Sequence, residues 1–562
     1  FTITQLIGLI FALTVMIFIP IGQKTGKLMQ GFGPLYGYTM NILGSLLGVI
    51  GFGILAFFHA PAYIWFLVAG LIIISVNYRK QGFILSLLVI AAIVFIVGLS
   101  EKEILWSPYY SITLRKTENK GVAIYINQLF HQKAVNFEEE PATYEKYMLT
   151  YRWFRPKRVL IIGSGTGNDV WVARKAGAEH IDAVEIDPLI LKLGYSEHPQ
   201  HPYDSDKVRV FVDDARSFMH RVHGEYDMIV YGTLDSHATL SVTSSIRLDN
   251  YVYTQEALQE ARHLLAPEGV VVLLFSVPTE WLAVRLLETA RSVFGSQDTR
   301  YIIMDEYLFN LMIIAGPGIK GALAANESLS NSLSSLPARA NITIPTDDWP
   351  YLYLTRRGIP HLYLSSLIFL ICFSVLAILI FSPLKPGKIN PLFFLLGCGF
   401  LLLETKSVTT FSLLFGSTWI VNAVVFIAIL AIALLANWLV KSRQLKNPRW
   451  FFGGLILSLI FLYFFPITNF LRLGFFIKIL SASILLALPI LFTSLIFAIL
   501  IKGTKDAGIA LGSNLLGAVI GGFFEYTSMI WGLNALYLVA LGWYIIAAFY
   551  LMRNRSLAIS VK

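Results

Sequence analysis

Apolar residues run almost unbroken through two flanks, residues 3–99 and 361–552, and between them shrink to short runs separated by charged and turn residues. A helix that crosses a bilayer core about 30 Å thick needs about 20 predominantly apolar residues. Measured that way, the first flank predicts four spans, about 3–20, 36–59, 62–77 and 82–99. The second predicts seven, about 361–382, 391–414, 418–440, 451–470, 479–501, 507–528 and 533–552, with 62–77 and 451–470 the weakest of the eleven. Composition agrees. The 562 residues are 56% hydrophobic and 14% charged, with a mean hydropathy of +0.65. Soluble chains hold roughly 45–50% apolar and about 25% charged residues. A soluble globule, a disordered chain and a fibrous repeat are excluded.

Four regions follow from this pattern: N-terminal helices (1–100), a small β-rich region (101–150), an α/β region (151–357) and C-terminal helices (358–562). The chain opens on Phe1 rather than Met, so either processing or a longer protein with helices before Phe1 is expected. Cys372 and Cys398 both lie in apolar runs and are read as packing residues.

Residues 41–48 (Asn-Ile-Leu-Gly-Ser-Leu-Leu-Gly) and 514–521 (Asn-Leu-Leu-Gly-Ala-Val-Ile-Gly) repeat one another. Each follows an apolar span and a short Lys- and Gly-containing loop, Gln23–Lys27 and Lys502–Asp506. Small-xxx-small spacing lets helix backbones approach closely, so packing is one reading and a duplicated helical pair of transporter type the other. Glu404, Lys406 and Glu525 fall inside or at the ends of predicted spans, where charge is costly unless it meets protein or water.

Loop charge predicts a topology. Lys24 and Lys27, Arg79 and Lys80, Lys385 and Lys388, Lys441 to Arg449, Lys502 and Lys505, and Arg553 and Arg555 all follow odd-numbered spans. The loops at 60–61, 415–417 and 529–532 have no Lys or Arg, while 471–478 has two. Basic loops are cytoplasmic as a rule, so four spans put the polar middle on the extracytoplasmic face of a plasma membrane. The net charge of +9 is largely this bias; no basic cluster interleaved with aromatics points to nucleic acid.

The polar middle alternates strand and helix. Val159–Ile162, His180–Val184, Val208–Val212, Asp227–Tyr231 and Gly269–Phe275 read as strands of a parallel, doubly wound sheet. The first ends at Gly163-Ser164-Gly165-Thr166-Gly167, the second at Glu185-Ile186-Asp187, the third at Asp213-Asp214-Ala215. Glycines let a ligand approach the backbone, and an acid about 20 residues on can accept both ribose hydroxyls. Gly163, Gly165, Gly167, Glu185, Asp187, Asp214 and Ala215 are therefore candidate ligands for an adenosine-containing molecule. The spacing alone does not separate a dinucleotide from S-adenosylmethionine.

At this point the sequence resembles a known family. Val159–Leu274 is similar to the S-adenosylmethionine-type Rossmann domain of the spermidine synthases, through Gly163–Gly167, Glu185, Asp214, Tyr226–Val230 and Tyr253-Thr254-Gln255-Glu256. Ser107–Tyr110 and Ser111–Gln132 resemble that family's small β-domain, and Tyr144-Glu145 its substrate-side Tyr-His-Glu. The flanks, with Leu403-Glu404-Thr405-Lys406, resemble its polytopic, membrane-fused members. The implied fold is a polytopic helical bundle carrying an inserted Rossmann-like methyltransferase/spermidine-synthase domain preceded by a small β-domain.

The implied function is aminopropyl transfer from decarboxylated S-adenosylmethionine to a putrescine-like amine, with no tightly bound cofactor, no metal and room for a homodimer. Tyr110, Gln132, Tyr144, Asp235 and Tyr253 become substrate-side candidates. Two departures matter. Thr166 stands where these enzymes carry a loop acid, and Gly232 where they carry the first acid after the fourth strand. An amine nucleophile must lose a proton, so a nearby carboxylate is needed. Asp235 is then the candidate base, or else a turn cap; His237 is a second candidate, or else a surface residue. Methyl transfer from S-adenosylmethionine and a transporter with an adenosine-sensing domain are the rival readings.

Overall fold

A computed structural model describes residues 3–77, 82–234, 251–305, 307–325, 342–381, 384 and 386–554. The chain divides into two compact units, Phe1–Ile50 with Arg356–Leu414 and Val421–Lys562, and Gly51–Thr355 with Phe415–Ile420.

The first unit is helical. It holds α1 (Ile3–Gln30), most of α2 (Pro34–Phe57) and, after the polar middle, further apolar helices. Nine helices among the described residues are long and apolar enough to cross a membrane, while Ala62–Ser75 and Arg449–Phe464 are shorter. Those two are the weakest spans of the sequence reading. Many large side chains of the nine long helices are uncovered, Ile17, Phe18, Ile84 and Leu85 among them, as lipid-facing residues would be.

The first repeat differs from its sequence reading. Gln23–Lys27 is not a loop: α1 continues through it to Gln30 across Pro20, so Lys24 and Lys27 lie on the helix. The second copy is a close helix crossing. A Cβ on Gly517 or Gly521 would press into the backbone of Phe394 or Cys398, and Asn514 Nδ2 donates to the Phe393 carbonyl at 3.1 Å. In the first copy, Gly44 and Gly48 meet nothing within 4 Å.

The second unit carries α3 (Ala62–Asn77) and α4 (Phe83–Ser100), then an antiparallel sheet in the order β1 (Leu105–Trp106), β2 (Ser111–Lys116), β3 (Val122–Ile126), β4 (Leu129–Ala134). Helix α5 (Pro141–Phe154) leads into the α/β layer. Its strands are β5 (Arg158–Ile162), β6 (His180–Glu185), β7 (Val208–Val212), β8 (Tyr226–Tyr231), β9 (Leu265–Phe275), β10 (Thr299–Ile303) and β11 (Leu311–Ala315). They form one seven-stranded sheet in the order β10-β11-β9-β8-β5-β6-β7.

The five strands read from sequence are present and parallel. The sheet is mixed rather than wholly parallel, because β11 runs antiparallel to both β9 and β10. Strand β5 is central: Val159, Leu160, Ile161 and Ile162 are all fully buried, as a strand covered on both faces requires. Helices α6 (Asn168–Lys175), α7 (Pro188–Glu197), α8 (Ala215–Arg221), α9 (Gln255–His263), α10 (Glu280–Phe294) and α11 (Ile319–Ala325) complete the layer. Between β5 and β8 the connections turn to opposite sides, and in such sheets the ligand crevice lies at the carboxyl ends there.

Candidate nucleoside site

The carboxyl end of β5 turns through the glycine loop with φ of +68° at Gly163, +56° at Gly165 and +106° at Gly167, a region that L side chains avoid. Space is equally restrictive: a Cβ on Gly165 would run into the Gln132 amide. Gly167 opens α6, which aims the helix N-terminus and its free N–H groups at the crevice.

Glu185, at the end of β6, is the clasp of this loop. Its Oε2 accepts from Gly165 N at 2.8 Å and its Oε1 from Asp187 N at 3.0 Å. The side chain is 8% exposed, and burial pushes its carboxyl up to about 7 against the pull of those backbone donors. Each oxygen keeps a lone pair for a further donor. Asp187 caps α7, its Oδ1 accepting from Leu189 N at 2.8 Å.

Asp214 follows β7, the next strand, and caps α8: its Oδ1 accepts from Ser217 N at 2.9 Å. Its Oδ2 accepts from Ser417 N at 3.2 Å. Ser417 belongs to Phe415–Ile420, a segment that sequence alone joins to two apolar helices and that no local motif could have assigned to this carboxylate. Burial raises the Asp214 carboxyl above its ordinary value. Ala215 is the first residue of α8, and its neighbour Arg216 ties α8 to the rest of the layer through Glu260 at 2.5 Å and Asp347 at 3.0 Å.

The β-sheet region reaches the loop through Gln132, whose Oε1 accepts from Thr166 N at 3.0 Å and Thr166 Oγ1 at 3.2 Å. Asn168 repeats the link, accepting from Val135 N at 3.0 Å and donating to the Lys133 carbonyl at 2.8 Å. Tyr203 braces the loop from beneath, its hydroxyl 2.7 Å from the Gly165 carbonyl. Asn168 and Tyr203 escaped the sequence reading, because their partners are distant in the chain.

The remaining candidates scatter. Tyr110 packs beside His131, ring centroids 6.4 Å apart. Tyr144 lies edge-on to Trp171 at 5.5 Å, on the hydrophobic side of α5. Tyr253 is 2% exposed and lies edge-on to Phe275 at 5.2 Å, within the core on the other face of the sheet. Asp235 and His237 lie outside the described residues.

The fold and the strand-end acids define an α/β domain with a glycine loop and two buried carboxylates at the carboxyl ends of neighbouring parallel strands. Residues 141–316 match the family model of the spermine/spermidine synthase domain. Polyamine aminopropyltransferase 2 of Hyperthermus butylicus is 31% identical over 128 residues, 22% of this chain and 40% of that protein. The polyamine aminopropyltransferase of Agathobacter rectalis is 30% identical over 122 residues, 21% of this chain and 39% of that protein. The chain thus spans about 40% of the length of these curated relatives. The spermidine synthase of Thermotoga maritima is 19% identical, with a TM-score of 0.31, over 37% of this chain and 70% of that one. Residues 141–316 are thus similar to the spermine/spermidine synthase domain.

Proposed function

We propose that this protein is a membrane-held transferase that moves an aminopropyl group from decarboxylated S-adenosylmethionine to a small amine of the putrescine class, a step of polyamine synthesis. The observation that carries the reading is the Glu185 carboxylate clasping Gly165 N beside the Asp214 cap at the end of the adjacent strand, within a segment matched to the synthase family model. The glycine loop would bring its backbone against the nucleoside, Glu185 would take the ribose hydroxyls, and Asp214 with Ala215 the adenine edge. Gln132 and Tyr110 belong to the β-sheet region, from which the acceptor would enter, with Tyr144 on α5 a further candidate; Asp235 and His237 are candidates in the segment after β8.

The reaction is a direct displacement. The amine lone pair forms a C–N bond to the carbon attached to sulfonium, the C–S bond breaks, and methylthioadenosine leaves as a neutral thioether. Fixing two reactants in line supplies much of the acceleration in such a step. Methyl transfer from S-adenosylmethionine is the second reading, favoured by Thr166 in place of a loop acid that would select the decarboxylated donor.

Calorimetry on detergent-purified protein tests both, using S-adenosylmethionine, its decarboxylated form and methylthioadenosine, with wild type and Asp214→Asn. Tight binding of the decarboxylated donor that weakens in the variant, together with methylthioadenosine release when a diamine is added, is the expected result. Preference for the carboxylated donor would turn the assignment to methyl transfer. Binding without turnover would turn it to a sensor attached to a transporter, and no binding of any of the three would overturn the nucleoside site.

A further inference from the structure

Asp169 is the second residue of α6, immediately behind the glycine loop. It is 8% exposed. Burial pushes its carboxyl up to about 7, offset only by its own backbone N–H, with no described cation contributing. A buried carboxylate without a cation is costly, and this one lies at the carboxyl ends of the parallel strands, where ligands of this architecture bind. Its Oδ2 is 3.3 Å from the position a Cβ on Gly232 would take, at the end of β8. The same Cβ would lie 2.7 Å from the Gly163 carbonyl oxygen. The end of β8 therefore has no room for a side chain of its own, and the negative charge beside it comes from α6. The buried hydroxyl of Tyr151 has no hydrogen-bond partner among the described residues, and burial, with the Asp169 charge adding to it, raises its pKa.

We infer that Asp169 is the carboxylate that receives the acceptor amine: it pairs with the incoming ammonium and takes its proton. The inference rests on the aminopropyl-transfer reading above. An ammonium supplies a cation that none of the described residues provides, and the switch-point position puts it beside the glycine loop that would hold the donor. In the first step an N–H bond breaks and its proton passes to an Asp169 oxygen, leaving a neutral amine. That amine's lone pair then forms the C–N bond as the C–S electrons return to sulfur. The product leaves as a secondary ammonium, and Asp169 returns its proton to water. A base whose pKa lies near the working pH combines availability with driving force.

The test compares Asp169→Asn with wild type in three measurements. Methylthioadenosine binding reports the fold and is expected unchanged. Diamine binding to the methylthioadenosine-loaded protein is expected to weaken at least about tenfold. Turnover is expected to fall about 10²–10⁴-fold, the usual contribution of a positioned base, with the acid limb of the kcat/KM profile near pH 7 abolished and restored by Asp169→Glu. Asp235→Asn serves as the comparison. If the acid limb is lost there and kept in Asp169→Asn, or if Asp169→Asn binds diamine and turns over as wild type does, the assignment is overturned. A wild type that binds diamine through Asp169 yet releases no methylthioadenosine would refute aminopropyl transfer and leave the amine site standing. A wild type that binds no diamine refutes both.

Discussion

In the proposed site, Glu185 serves fold and ligand together. Its two oxygens hold Gly165 N and Asp187 N, so the carboxylate shapes the loop before any nucleoside arrives. Hydrogen bonds to a charged group contribute about 1.5–3 kcal/mol. Glu185→Gln is therefore expected to weaken nucleoside binding about 10–100-fold in titration calorimetry. It is also expected to remove a pH dependence: ribose donors favour the ionised carboxylate, so wild-type affinity should rise as pH climbs through about 7, where burial has moved this group. A glutamine has no such transition. Glycine spacing and strand-end acids made this much legible from sequence. Leu234, whose side chain lies against Gly163, and Ser417 at Asp214 were not, since both contacts are tertiary and leave no local pattern.

Capping explains much of how the elements meet. Asp187, Asp214 and Thr254 each accept from a backbone N–H in the first turn of α7, α8 and α9, so the acids read as ligand groups also set where those helices begin. The C-terminal end of α7 is tied differently. His198 is 1% exposed and contacts the Asn168 side-chain oxygen at 3.2 Å, which a neutral ring can serve as donor. Burial lowers its pKa to about 3. Its folded-state value is depressed below the ordinary 6.5, so its contribution to stability is complete above about 6.5 and is lost as pH falls toward 3. Thermal unfolding should report a loss of roughly 1.4 kcal/mol per pH unit below about 6 from this group, and His198→Gln should flatten that limb. The five parallel strands were readable because each is a short, mostly apolar run closed by turn residues. Strands β10 and β11 were not singled out: Leu311–Ala315 is as apolar as the others, but nothing in its pattern says that it pairs antiparallel to β9.

At the scale of the whole chain, the helical unit sorts its charges. Lys502 Nζ lies 3.4 Å from the Val440 carbonyl, and Lys478 Nζ lies 3.1 Å from the Leu414 carbonyl. The helix Phe475–Lys502 therefore runs from the level of Leu414 to that of Val440, and the intervening helix Arg449–Phe464 carries the chain back between those levels although it has only 16 residues. At about 1.5 Å per residue it is about 24 Å long, short of the full bilayer core but within what local thinning accommodates. The residues Lys441, Arg443, Lys446, Arg449, Lys502 and Lys505 cluster in the sequence around the Val440 level, and the positive-inside rule assigns that level to the cytoplasm. The helix α3 has 16 residues as well, and whether it crosses decides whether the loop charges before the polar domain agree with those after it, where three apolar helices separate the domain from the Val440 level. If it crosses, four spans precede the domain and it lies outside, where a nucleoside donor made in the cell must be delivered to it. Single cysteines in a Cys372→Ser, Cys398→Ser background settle the parity. Lys157→Cys, on a side chain 72% exposed, should react with a membrane-impermeant maleimide in intact cells, while Gln444→Cys in the basic loop should react only after permeabilisation. Labelling of both only after permeabilisation would mean that one of the three apolar helices between the domain and Gln444 does not cross, that the domain is cytoplasmic and that the donor needs no passage through the bundle.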